Sequence, residues 1–188
     1  MKVKGAESFD CGGICGEPCA VAIGIFDAVH KGHLRVLEAA KDFAAQNGAK
    51  AFALTFYPHP AKIFARKSGS SALIYPPETR AKLLLEAGMD AVFFKDFTPE
   101  FAALSPRGFF ALLLKKFPNL KCVATGENFK FGAGAAAGIE VLKSVAAEFG
   151  VEARAVCGVL SGGEFVSSPR LRADLQKCDM ALFLELGG

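Results

Sequence analysis

Short apolar runs alternate with amphipathic stretches along most of the chain. Ala20 to Ile23 is continuously apolar and reads as a buried strand. Leu34 to Gln46 follows with apolar residues at Leu34, Val36 and Leu37 and alanines between, and Asn47-Gly48 supplies a helix ending. Ala51 to Phe56 is a second strand, broken by Pro58-His59-Pro60. Lys62 to Ser71, rich in Lys, Arg, Ser and Gly, reads as a mobile loop. Pro77 to Ala87 predicts a helix closed by Gly88, and Ala91 to Phe94 a strand. Thr98-Pro99 and Ser105-Pro106 each set a capping hydroxyl before a proline suited to a first helical turn, so two helices start there, the second running to about Phe117. Leu120 to Ala124 is a strand, Ile139 to Phe149 a helix stopped by Gly150, and Val151 to Val156 a strand. Ser161-Gly162-Gly163 predicts a hairpin turn before a last helix from Pro169 to about Lys177. Repeated strand-then-helix units imply an α/β fold, a parallel sheet with helices on both faces.

Composition narrows this pattern to a single domain. The 188 residues and 52% hydrophobic content suffice for one sizeable core. Residues 19–188 carry the alternating pattern, and 1–18 read as an N-terminal extension. A net charge of +3, with no polybasic run, calls for neither nucleic acid nor an anionic membrane. No apolar stretch approaches a membrane span of about 18 residues, and Met1 to Asp10 lacks the plan of a signal peptide, so the expected location is cytoplasmic. Cys11, Cys15 and Cys19 repeat every four residues, an interval unlike the close pairs of zinc sites. Free thiols in reducing surroundings are expected, with Cys122 and Cys157 acting as small hydrophobes inside strands.

Four segments carry candidate chemistry, and each follows a strand or opens a helix. Gly24-Ile25-Phe26-Asp27-Ala28-Val29-His30-Lys31-Gly32-His33 puts two imidazoles and a glycine at a helix mouth. Unsatisfied N–H groups and the partial positive charge of that terminus suit a phosphate, although an ordinary turn whose histidines cap or pack has the same letters. Thr55-Phe56-Tyr57-Pro58-His59-Pro60 ends a strand in aromatics and a rigid turn. In Gly126-Glu127-Asn128-Phe129-Lys130-Phe131-Gly132-Ala133-Gly134, Asn128 suits a heterocycle or sugar and the phenylalanines suit a flat ring. A dinucleotide fingerprint is disfavoured there because Gly132 falls about seven residues too late. Val166-Ser167-Ser168-Pro169-Arg170-Leu171-Arg172 offers hydroxyls and guanidiniums that match phosphate oxygens. In a parallel sheet such segments meet beyond the carboxyl ends of the strands, where strand order reverses.

Taken together and in order, these stretches resemble the adenylyltransferase module of prokaryotic bifunctional FAD synthetases, within the HxGH nucleotidylyl transferase superfamily. GIFDAVHKGH is similar to that family's GxFDGVHxGH, TFYPHP to TFxPHP, TGENFKFGAGA to GxxFxFG, and VSSPRLR to ISSTxxR. The resemblance implies a Rossmann-like nucleotidylyl transferase fold and FMN adenylyltransferase activity, in which AMP passes from ATP to the phosphate of FMN and FAD and pyrophosphate result. It implies catalytic roles for His30, His33 and Arg172. Gly24, Phe26, Asp27 and Gly32 join the histidines on the ATP side, facing Ser167, Ser168, Arg170 and Arg172. His59, Pro60, Phe64, Asn128 and Phe129 fall on the FMN side. Mg²⁺ is expected to come with ATP, held largely by phosphates, with no protein ligand singled out.

Three departures qualify that expectation. Ala28 replaces the family's usual glycine, and Pro169 its usual threonine, which removes a hydroxyl and a backbone donor. The chain ends at Leu186-Gly187-Gly188, about where the family's linker to a riboflavin kinase module begins, so no riboflavin kinase domain is expected. A separate riboflavin kinase and flavoprotein clients are then the partners to look for. The alternatives are a catalytically impaired flavin-nucleotide binding module, or an HxGH nucleotidylyl transferase with another phosphorylated acceptor.

Overall fold

The first strand lies in the stretch expected to be an extension. Ala6–Ser8 (β1) pairs in parallel with Ala91–Asp96 (β4), and Phe9 beyond it is buried. Three residues alternate too briefly to announce a strand, and only β4 makes one of them. The computed structural model describes residues 3–10, 15–60 and 73–176; the Lys62–Ser71 loop expected from composition lies outside these residues.

Cys19–Ile23 (β2) is wholly buried and sits in the middle of the sheet. It leads to Lys31–Asn47 (α1), then Lys50–Tyr57 (β3), Pro77–Glu86 (α2) and β4. Pro99–Ala102 (α3) and Pro106–Lys116 (α4) precede Leu120–Gly126 (β5). Ile139–Glu148 (α5), Glu152–Val156 (β6), the Leu160–Ser161 (β7) and Glu164–Phe165 (β8) hairpin, and Ser168–Gln176 (α6) complete the described chain. The large sheet is parallel throughout, in the order β1-β4-β3-β2-β5-β6. Strand order therefore reverses between β2 and β5, and loops leaving those two strands flank a crevice.

Local signals explain the boundaries. His30 caps α1 and Gly48 closes it at φ 59, so the helix starts at Lys31 rather than at the first apolar residue, Leu34. Thr98 Oγ1 accepts from the Phe101 N–H and Ser105 Oγ from the Gly108 N–H, each ahead of a first-turn proline. Gly162 and Gly163, both at positive φ (62° and 82°), turn β7 into β8.

The two faces of the sheet differ in side-chain size. Ala20, Ala22, Ala51, Ala53, Cys122 and Ala124 face α1 and α2, where Val36, Leu37, Ala40 and Leu84 pack. The other face carries Val21, Ile23, Phe52, Phe93 and Val123 against Phe109, Phe110 and Leu113 of α4 and Leu142 and Val145 of α5. Lys116 enters this second core with its Nζ 5.1 Å from the Phe93 ring centre and 5.8 Å from that of Phe9. That Nζ is buried without a hydrogen-bond partner among the described residues. Desolvating an ammonium costs several kcal/mol, and a cation–π contact returns about 2. Lys116→Met, which keeps the stem and exchanges the charge for a sulfur–aromatic contact, is therefore expected to raise stability by about 1 kcal/mol in a urea titration; a loss of that size would show that the cation–π contacts dominate.

Candidate functional site

The loops at the carboxyl ends of β2 to β6 surround one cavity of about 560 Å³. All three histidines of the chain, His30, His33 and His59, line it. Gly24, Phe26, Gly32, Ser168, Pro169 and Arg172 contribute to the same wall, as do Pro60, Asn128 and Phe129. Three of the residues expected at the nucleotide lie elsewhere. Asp27 is wholly buried and turned into the protein, Ser167 caps α6 by accepting from the Arg170 N–H (3.4 Å), and Arg170 clamps the hairpin. The Arg170 guanidinium donates to the carbonyls of Ser161 (2.8 Å) and Glu164 (3.1 Å) and pairs with the Glu164 carboxylate. A hairpin that close in sequence offers acceptors the motif alone does not reveal. Phe64 lies outside the described residues.

At the mouth of α1 the two imidazoles stack, with ring centres 3.6 Å apart and planes 20° apart. The Phe26 ring meets His33 edge-on at 5.4 Å. His30 Nδ1 accepts from the His33 N–H at 3.4 Å, which leaves its ring proton on Nε2. The His33 N–H also donates to His30 O at 2.7 Å and the Leu34 N–H follows to the same carbonyl at 3.0 Å, so the amides of Lys31 and Gly32 precede the ladder. A Cβ on Gly32 would sit 3.2 Å from the His30 ring, and one on Gly24 2.9 Å from the Phe26 ring. A side chain at Gly24 would thus displace the Phe26 ring, and one at Gly32 would press the His30 ring by a few tenths of an ångström.

Burial decides the charge of the pair. It lowers His30 to about 4, against the raising influence of the Asp27 carboxylate, and holds His33 well below the ordinary imidazole range, with the His30 and Arg80 charges adding to the effect. In the unliganded protein near neutral pH both rings are neutral donors rather than cations.

Arg80, absent from the sequence motifs, underlies the loop. It is fully buried and donates to Ile25 O (2.7 Å), Thr55 Oγ1 (3.2 Å) and Phe56 O (3.3 Å). Thr55 Oγ1 in turn donates to Ile25 O at 2.7 Å. Its guanidinium lies 5.4 Å from the Phe94 ring centre, and burial lowers its pKa although Asp27 opposes this. One signal in the sequence was available: Arg80 adjoins Ala81 and precedes Leu84, on the buried stripe of α2.

The loop that these clamps hold is left-handed. Phe26, Ala28 and Val29 have φ of 51°, 70° and 47°. Ala28 therefore occupies a conformation that favours glycine, which explains the family's usual residue there. Its methyl is compensated by burial against Val166 and Leu171. Relief of the left-handed strain, about 1–2 kcal/mol, is offset by loss of a buried methyl worth about 0.8 kcal/mol. Ala28→Gly should accordingly move stability by less than about 1 kcal/mol.

The remaining wall is aromatic. Phe56, Phe97, Phe101, Phe109 and Phe131 line the cavity as successive ring contacts, with centres 5.3–6.0 Å apart, and Phe131 stacks on Phe129. The sequence singled out Phe129 and Phe131, and Phe56 as part of an aromatic strand end, but not Phe97, Phe101 or Phe109, which arrive from the loop after β4, α3 and α4. Cys157 also corrects an expectation: it lies past the end of β6, exposed and lining the cavity, whereas Cys19 and Cys122 are buried thiols pushed up to about 12 by desolvation.

The lowered His30 and His33 pKa values predict that the fold loses stability in acid. Below about pH 6.5 the unfolded chain protonates His30 while the folded one does not, so stability is complete above that pH and declines as pH falls toward 4. The loss by pH 4.5 is on the order of 2–3 kcal/mol from His30 alone. Urea midpoints at pH 7 and 4.5 should show this fall, and a smaller one in His30→Gln; an equal fall in both proteins rejects His30 as its source.

Comparison with known proteins agrees with this architecture. A family model for FAD synthetase matches residues 14–170. The bifunctional riboflavin kinase/FMN adenylyltransferase of Escherichia coli strain K12 is 31% identical over 172 residues, which are 92% of this chain and 55% of that protein. Its counterpart in Bacillus subtilis strain 168 is 31% identical over 112 residues, 60% of this chain and 35% of that one. The chain thus spans about half the length of the E. coli relative that it matches. A solved structure described as a macrolide-efflux protein from Streptococcus pneumoniae superposes with a TM-score of 0.76 at 26% identity, covering 89% of this chain and 53% of that one. Pantoate–β-alanine ligase (pantothenate synthetase) from Thermus thermophilus shares the fold alone, at a TM-score of 0.52 and 16% identity over 83% of this chain and 62% of that one. With its parallel sheet and its stacked histidines at the crevice between β2 and β5, the chain belongs to the FAD synthetase family.

Proposed function

We propose that the protein transfers AMP from ATP to FMN, giving FAD and pyrophosphate. The observation that carries this reading is one cavity walled by the HxGH imidazoles, Ser168 and Arg172 in one part and by a chain of phenylalanines with Asn128 in another. The first set suits phosphates and the second a flat tricyclic ring.

In this reading a phosphate oxygen of FMN attacks the α-phosphorus of ATP in line. A new P–O bond forms as the bond to the β-phosphate oxygen breaks, and pyrophosphate leaves with the electron pair. The FMN phosphate is largely ionised at neutral pH, so no strong base is needed. Positioning and electrostatics carry the rate. His30 Nε2–H, the His33 ring and the first amides of α1 donate to phosphate oxygens, and the polyphosphate charge favours protonation of the neutral rings as it binds. Arg172 and Ser168 act from the opposite side. His59, Pro60, Asn128 and Phe129 border FMN, a role extended here to Phe56, Phe97, Phe101 and Phe109. The carboxylate nearest the histidines, Asp27, has both oxygens engaged by protein donors, so we place Mg²⁺ on the triphosphate as part of the substrate.

Incubation with FMN and MgATP should yield FAD and pyrophosphate in equal amounts, followed by chromatography. FMN bound without turnover would instead identify a binding module, and turnover only with other phosphorylated acceptors would identify a different transferase. His33→Ala should lower kcat by about 10²–10³. Pro169→Thr, which restores a backbone donor and a hydroxyl at the cavity wall, should raise kcat; an unchanged rate would show that the phosphates do not use this position.

A further inference from the structure

Asp27 belongs to the motif that carries His30 and His33, yet nothing about its setting suits a phosphate contact. It is wholly buried, does not line the cavity, and would repel a polyphosphate if it did. Its carboxylate collects donors from two distant parts of the chain. Oδ1 accepts from the N–H groups of Ile74 (2.8 Å) and Tyr75 (3.2 Å), in the stretch leading into α2. Oδ2 accepts from Arg172 Nη2 at 2.7 Å, across 145 residues of sequence, and from the Ile74 N–H at 3.1 Å. Its backbone carbonyl accepts from Ser168 Oγ at 3.2 Å.

The packing around these bonds follows the same plan. A third hydrophobic cluster, apart from the two cores on the sheet, consists of Ala28, Val166 and Leu171, with Ile74, Tyr75 and Val159 against it. It joins the same three segments that Asp27 joins: the loop after β2, the residues before α2, and α6. Of the three α6 residues in the cavity wall, Ser168, Pro169 and Arg172, the two with side-chain donors are the two that bond Asp27. The carboxylate is wholly buried while the guanidinium reaches the cavity wall, so a fixed carboxylate sets the guanidinium's position rather than merely attracting it.

We propose that Asp27 is a positioning residue, which seats Ser168 and Arg172 of α6 in the cavity wall and ties that seat to the Ile74–Tyr75 backbone. A preorganised guanidinium stabilises charge developing on the phosphates without reorganising during the reaction. Asp27 therefore acts on turnover through Arg172 and not on the aromatic FMN wall. The kinetic arm of its test rests on the FMN-adenylylating reading; the exchange arm does not.

The kinetic arm compares FAD formation by the wild type, Asp27→Asn, Arg172→Ala and the double variant. Asparagine keeps an oxygen for the two amides but turns an NH₂ toward Arg172. The expected result is a fall in kcat of about tenfold or more for Asp27→Asn, with KM for FMN within about twofold. In the Arg172→Ala background the same change should cost less than about twofold, because the group it acts through is gone. Equal losses in both backgrounds would show that Asp27 acts through the loop or through its charge on His30 rather than through Arg172, and overturn the proposal. The exchange arm measures amide hydrogen exchange in the substrate-free protein. Arg172→Ala should accelerate exchange at Ile74 and Tyr75, since Asp27 then loses its charge partner; unchanged exchange there would overturn the coupling even if Asp27→Asn fails to fold. A folded wild type that forms no FAD would reject the transferase reading, and the exchange result would still decide the role of Asp27.

Discussion

Everything at the site depends on how closely α1 can lie on the sheet. The strands beneath it present alanine or cysteine at Ala20, Ala22, Ala51, Ala53, Cys122 and Ala124, and α1 answers with Ala40 and Ala44 beside Val36 and Leu37. Small side chains on both surfaces let the backbones approach, and close packing leaves no freedom to slide. The start of α1 is thereby held over the end of β2, beside the point where strand order reverses. Bulk is moved to the other face, where phenylalanines from β3, β4 and α4 fill the wider space.

Buried charge does the finer work. Arg80 ties the carbonyl of Ile25 to the end of β3, and Asp27 ties the next residues to α6 and to the stretch before α2. These anchors lie in a loop with three left-handed non-glycine residues, Phe26, Ala28 and Val29, a conformation that persists only where its surroundings over-determine it. The two anchors supply that constraint, and they also bear on the histidines: the Arg80 charge disfavours protonation of His33, and the Asp27 charge favours that of His30. Neutral rings keep the mouth of α1 free of clustered imidazolium charge.

The residues that depart from the family pattern fall where this constraint is felt. Ala28 sits at the middle of the left-handed loop, and its methyl joins the small cluster that docks α6. Pro169 occupies the first turn of that helix, between the capping Ser167 and the cavity-facing Arg172. Both changes therefore alter one joint, the seat of α6 on the loop after β2.

What the sequence determined by itself was local or periodic. The apolar runs marked five of the six strands of the large sheet, the hydroxyl–proline pairs marked the starts of α3 and α4, and the glycine pair marked the hairpin. His30 and His33 were legible because a cap and a glycine next to it form a contiguous pattern. Tertiary structure alone decided the rest. Strand β1 is too short to show a period and exists through β4. Asp27 and Arg170 look alike as polar members of phosphate motifs, but one finds Arg172 and two amides and the other finds the hairpin carbonyls. The phenylalanine wall converges from segments far apart in sequence. Periodicity reports how a segment meets the core. The partner a charge meets, and the ionisation that burial imposes on it, depend on groups that only the folded chain brings near.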